Sequence, residues 1–167
     1  RYLEAFFAVP MLGSTLHTVN IRLSPSQIAY TIDHAEDDVI LFHADFIPLL
    51  EEVMLEVKRD ARLIVMRDSA DIELPQTTLK IEAIFDELFM DTDQYFSFPD
   101  FDENTRATTF YTTGTTGNPK AVAYSHRQLV LHTMGILATF GPMSANNRFH
   151  NRDVYMPITP MFHVHGW

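Results

Sequence analysis

The 167 residues contain no cysteine. That excludes a disulfide framework and any thiolate-held metal. Positive charge is scarce: 12 lysines and arginines face 22 aspartates and glutamates, a net charge of −10 with the histidines neutral. So acidic a chain argues against nucleic acid and anionic membrane surfaces as partners. No apolar run reaches the roughly 18–20 residues of a membrane span. No charged start followed by an apolar stretch marks a secretory signal. An initial methionine is also missing; Arg1 stands there. The expectation is a cytoplasmic chain that is a piece of a larger protein. What is present is a globular composition, 46% hydrophobic with a mean hydropathy of −0.05, in a length that holds about one domain.

Strand-like and helix-like segments alternate, which predicts an α/β domain with parallel strands. A short β-branched run, Thr15–Val19, follows Gly13 and Ser14. Ser24-Pro25-Ser26-Gln27 predicts a helix start, with Ser24 as N-cap, Pro25 in the first helical position and Gln27 completing a capping box. Ile28, Ile32 and Ala35 share one face of that helix. Asp38–His43 and Ala61–Met66 read as buried strands, with helical spacing over Phe46–Val57 between them. The charges from Glu51-Glu52 to Lys58-Arg59-Asp60 read as an exposed helix face and its end. Arg67–Gln76 predicts a loop, Leu79–Phe89 a helix, and Asp91–Asn104 a surface excursion. Thr108–Thr112 and Lys120–Tyr124 predict strands, Ser125 caps a helix to about Phe140, and Asp153–Ile158 predicts a last strand.

The densest chemistry is Tyr111-Thr112-Thr113-Gly114-Thr115-Thr116-Gly117-Asn118-Pro119-Lys120. Four threonines and two glycines occupy six residues, with a lysine three positions on. Glycines let backbone N–H groups converge on one point, hydroxyls add donors, and the lysine adds positive charge. A plain surface turn needs only one or two such residues. The composition suits a polyphosphate. It is not a Walker A loop, because Gly114 and Gly117 are too close and Ala121 follows Lys120.

This decapeptide resembles the phosphate-binding loop of the adenylate-forming superfamily, which includes acyl-CoA synthetases, luciferases and AMP-dependent ligases. The family pattern has glycine where Ala121 stands here. The segment from Met156 to Trp167, with Pro160-Met161-Phe162-His163 and Gly166-Trp167, resembles the family's next signature. Tyr2 to Leu23 resembles its early core, so the likeness runs along nearly the whole chain. It is most similar to prokaryotic long- or medium-chain fatty acyl-CoA synthetases. The resemblance implies that residues 1–167 are part of the large N-terminal, AMP-binding domain, a mostly parallel sheet flanked by helices. The rest of that domain and the small C-terminal domain would be absent; the chain stops inside the second motif. Alone, it is expected to be inactive.

The implied reaction joins a fatty acid to coenzyme A through an acyl-adenylate made from ATP. By resemblance, Thr112, Thr113, Gly114, Thr115, Thr116, Gly117, Asn118, Pro119 and Lys120 would cradle the phosphates. The hydroxyl of Thr112 would be a ligand of Mg²⁺. His163 would lie beside the reacting carboxylate and α-phosphate as the catalytic group. Val164 would border that site through its backbone, and Trp167 would gate the acyl tunnel near the nucleotide. On the residues alone, His163 reads rather as a packed, hydrogen-bonded histidine near a strand end, and Trp167 equally as a core aromatic. His163 and His165 could form a metal pair, but no third ligand is near. The fatty acyl relatives are often homodimers; that is an analogy, and the sequence leaves the oligomeric state open. Rival readings are an aryl-CoA ligase, a luciferase-like enzyme, a peptide-synthetase adenylation domain, or a non-catalytic nucleotide-binding fragment.

Overall fold

The computed structural model describes residues 1–89, 92, 95–113, 117–141 and 152–163. Along the chain run α1 (Tyr2–Met11), β1 (Leu16–Thr18), α2 (Pro25–Ala35), β2 (Val39–His43), α3 (Ile47–Met54), β3 (Arg62–Met66), β4 (Ile81–Ile84), β5 (Arg106–Thr112), β6 (Lys120–Ser125) and α4 (His126–Phe140). Short 3₁₀ turns occupy Ala44–Phe46 and Phe85–Phe89. Two compact units result. The first holds Arg1–Tyr2, Val19–Ser97 and Tyr111–Ala121, the second Leu3–Thr18, Phe98–Phe110 and Val122–Trp167.

In the first unit, α2 starts where local chemistry demands. Ser24 is extended, its hydroxyl accepts the Gln27 N–H, and the Gln27 side chain accepts the Ser24 N–H. Two orphan donors of the first turn are thereby satisfied. Glu36 ends the helix in the left-handed conformation, φ 60°. The helix turns Ile28, Ala29, Thr31 and Ile32 inward. Pro48 lies in the first turn of α3, which buries Ile47, Leu50 and Val53. Both helices pack on the sheet face that carries Phe42, Leu63 and Val65, forming one hydrophobic cluster. The sheet order is β2-β3-β4, and both pairings are parallel. Asp33 accepts the backbone N–H groups of Lys58 and Arg59, at 3.1 and 3.2 Å, tying the turn after α3 back to α2.

In the second unit, β1 pairs parallel with β5, with Leu16 opposite Thr108 and Thr18 opposite Phe110. The sheet runs β1-β5-β6. Ser125 caps α4 through a second capping box with Gln128. The His126 N–H donates to the Thr105 carbonyl and the Arg127 N–H to that of Glu103, and the Arg127 and Glu103 side chains form an ion pair. The start of α4 is thus held to the segment that leads into β5.

The α/β class predicted from the sequence is the class observed, with differences in the individual elements. Leu79–Phe89 is not a helix: Ile81–Ile84 is a strand and Phe85–Phe89 a 3₁₀ turn. The open edge of β3 decides this. Ile81 and Ile84 lie opposite Leu63 and Val65, and strand pairing outweighs weak helical spacing in a short apolar run. Asp153–Ile158 is not a strand but irregular, with Val154, Tyr155, Met156 and Ile158 exposed. Apolar, β-prone residues need a neighbouring strand to pair with, and no described strand pairs with these. The predicted helix over Phe46–Val57 is shorter, because Ala44–Phe46 is 3₁₀ and α3 stops at Met54. Helix α1 carries no sequence expectation; Pro10 near its end obscures it. Among the described residues, no helix is long and apolar enough to cross a membrane.

Candidate functional site

Strand β5 delivers the glycine–threonine loop. Ala107, Thr108, Thr109, Phe110 and Tyr111 are buried, and burial stops at Thr112. Thr112 and Thr113 are exposed. Gly114, Thr115 and Thr116 lie outside the described residues. Gly117 has φ +96°, and among the described residues nothing lies within 4 Å of where a Cβ would sit. A side chain there would strain the backbone; the open space leaves room for a bound group. Asn118 is exposed, Pro119 is buried and Lys120 is exposed as the first residue of β6. The Lys120 ammonium pairs with no described carboxylate. The described part of the loop therefore offers hydroxyls, an amide and an unneutralised cation between two buried stems, Tyr111 and Pro119.

The first stem has a partner that sequence reading misses. The Tyr111 hydroxyl and His34 Nδ1 share a hydrogen bond of 2.7 Å, with the rings edge to face at 5.7 Å. Tyr30, one turn back on α2, lies 5.5 Å from the His34 ring. His34 and Tyr111 are 77 residues apart, a separation at which no local pattern signals a contact.

His163 belongs to the second unit and the loop to the first. The His163 N–H donates to the Pro160 carbonyl at 2.8 Å, closing a tight turn. The buried Thr18 at the end of β1 donates its hydroxyl to the Phe162 carbonyl at 3.1 Å. A strand end thus anchors the backbone next to His163, whose side chain is exposed. Val164, His165 and Trp167 lie outside the described residues. Among those described, no group of three or more histidines and carboxylates could hold a metal ion.

Two carboxylates elsewhere are held below their ordinary range by hydrogen bonds. Glu51 accepts the Thr78 N–H at 2.7 Å and the hydroxyls of Thr77 and Thr78. Asp102 accepts the N–H and the side-chain amide of Asn104. Each carboxylate organises a turn: Glu51 the approach to β4, Asp102 the approach to β5.

The chain matches the AMP-binding enzyme family over residues 1–167. It belongs to that family. This AMP-binding chain is 42% identical, over 175 residues, to the 3-methylmercaptopropionyl-CoA ligase of Ruegeria pomeroyi, covering 100% of this chain and 30% of that protein. It is also 42% identical to the long-chain-fatty-acid–CoA ligase of Thermus thermophilus, over 167 residues, covering 100% of this chain and 28% of that protein. The chain thus spans less than a third of the length of these relatives. Its fold resembles the crystal structure of a long-chain-fatty-acid CoA ligase, so titled as putative, from Rhodopseudomonas palustris. The TM-score is 0.72 at 22% identity, over 99% of this chain and 37% of that one. The α/β arrangement is that of the family.

Proposed function

We propose that this AMP-binding chain is part of the N-terminal domain of an ATP-dependent, AMP-forming ligase that joins fatty acids to coenzyme A. The observation that carries the reading is the loop between β5 and β6. It combines an exposed Thr112, a Gly117 with positive φ and an exposed Lys120 that pairs with no described carboxylate, in a chain matched by the family from end to end. That combination suits the triphosphate of ATP.

In this reading a carboxylate oxygen attacks the α-phosphorus of ATP and pyrophosphate leaves, giving an acyl-adenylate. The thiol of coenzyme A then attacks the acyl carbon and AMP departs. The loop from Thr112 to Lys120 meets the charge that grows on the leaving pyrophosphate, so its donors work hardest in the transition state. Thr112, a hard oxygen donor at the loop's entrance, fits Mg²⁺, which when bound would neutralise phosphate charge. His163, exposed on its anchored turn, positions the carboxylate against the α-phosphate. Val164 and Trp167 belong to the same reading, as lining of the nucleotide and acyl sites. The 167 residues alone form no acyl-adenylate. The complete enzyme is placed in the cytoplasm.

The acid is proposed at the level of a class. Identity is 42% both to a ligase named for 3-methylmercaptopropionate and to one named for long-chain fatty acids. Equal overall identity therefore favours neither acid over the other. Similarity at 38% to the medium-chain-fatty-acid–CoA ligase of Ectopseudomonas oleovorans supports fatty acids as the class.

The test is ATP–pyrophosphate exchange by the full-length protein against acids of increasing chain length, beside Lys120→Ala and His163→Ala. Exchange that needs a fatty acid and collapses in both variants is the expected result. Exchange with aryl or amino acids alone would replace the substrate class. No exchange with any acid would overturn the ligase reading.

A further inference from the structure

We infer that His34 is a positioning residue for the phosphate loop, acting through the hydroxyl of Tyr111; this rests on the proposed nucleotide-binding role of that loop. Tyr111 is the last buried residue of β5, and the next residue, Thr112, is already in solvent. The point where the strand leaves the core is therefore set by what holds Tyr111. His34 holds it at 2.7 Å from the C-terminal part of α2. That helix is a firm support, since Ile28, Ala29, Thr31 and Ile32 are each at most 4% exposed. His34 itself is exposed, with its ring against Tyr30 and Tyr111. Among the described residues, its recorded polar side-chain contact is Tyr111. All these residues lie in the first unit.

A loop of threonines and glycines loses conformational freedom when it closes on phosphates, and that cost subtracts from affinity. Fixed stems reduce it. Pro119, buried and with its φ set by the ring, holds the second stem. The His34–Tyr111 bond holds the first and sets where Thr112 and the following amides begin. Losing the bond should therefore weaken ATP more than the acid, and more than the fold.

The experiment is steady-state exchange and urea unfolding of the full-length protein, for wild type, His34→Leu, Tyr111→Phe, the double variant and His34→Asn. Tyr111→Phe keeps the ring and removes only the hydroxyl. Asparagine can place an amide close to the Nδ1 position. One hydrogen bond lost predicts a rise of about fivefold in KM for ATP in each single variant. The double variant should be no worse than either single, because both remove the same bond. KM for the acid and the unfolding midpoint should stay near wild type, and His34→Asn should recover most of the loss. Unchanged KM for ATP in an active His34→Leu or Tyr111→Phe enzyme would overturn the inference. So would additive effects, or a loss that simply follows a lowered unfolding midpoint. A wild type without any exchange would instead remove the ligase reading on which the inference stands.

Discussion

In the unit built on β2, β3 and β4, residues from two helices and two strands form one contiguous buried cluster. In the other unit, α4 is the longest helix, at 15 residues, yet it buries none of them. Val130, Leu131, Met134 and Leu137 are each at least 55% exposed along it. One unit is held by packing on its own sheet. The other helix is held at its start, by the Ser125–Gln128 capping box and the bonds to Glu103 and Thr105. His163 and Thr112, at the end of β5, are likewise exposed. Segments with little buried apolar surface open at low free energy. Within these 167 residues the proposed site positions Thr112, Lys120 and His163 are exposed, and the buried cluster is built from α2, α3, β2 and β3.

The largest effect should come from truncating the packed helix. Ile32 is 1% exposed, so Ile32→Ala should cost about 2–5 kcal/mol in urea unfolding, transfer loss plus cavity. Val130→Ala, on α4, should stay within about 0.5 kcal/mol. Equal losses at the two sites would erase the contrast between the helices.

Next comes the loop. Lys120→Ala should lower exchange by about 100-fold, the scale of one preorganised donor removed from developing charge, without moving the unfolding midpoint. A matching drop in stability would mean that Lys120 belongs to the packed architecture after all.

The two capping boxes sharpen the comparison further. Ser24→Ala and Ser125→Ala each remove a similar cap, worth about 1 kcal/mol. The first should appear in the global unfolding curve, because α2 is part of the core. The second should appear as lost helical circular dichroism and faster amide exchange in α4, with the midpoint almost unchanged.

The smallest effect is expected at Glu51. Its carboxyl is lowered first by the Thr78 N–H and then by the Thr77 and Thr78 hydroxyls. Its folded value lies below the ordinary 4.5. The stabilising contribution is therefore present above that pH and lost as pH falls through the lowered value. Glu51→Gln should flatten this part of the acid limb of the stability–pH curve, measured by urea midpoints. An unchanged acid limb would show that Thr77 and Thr78 do not depend on the charge.

Legibility followed locality. The start of α2 was readable because a cap is decided by four adjacent residues, Ser24 to Gln27, and the start of α4 likewise by Ser125. The glycine–threonine loop stood out because few needs other than phosphate concentrate threonine, glycine and lysine so tightly. Leu79–Phe89 was misread because its fate lay in the free edge of β3, some 15 residues earlier in the chain. Asp153–Ile158 was misread for the converse reason: its residues favour a strand that no described neighbour completes. The His34–Tyr111 bond had no signal at all.

The amino acids alone determined the α/β class, the caps and the chemical character of the loop, since these depend on side-chain type and on spacing within a few residues. Tertiary structure decided the strand orders β1-β5-β6 and β2-β3-β4. It also decided which helix buries its apolar residues and which histidine meets Tyr111. Those outcomes depend on contacts between distant residues, whose loop-closure entropy only the folded core offsets.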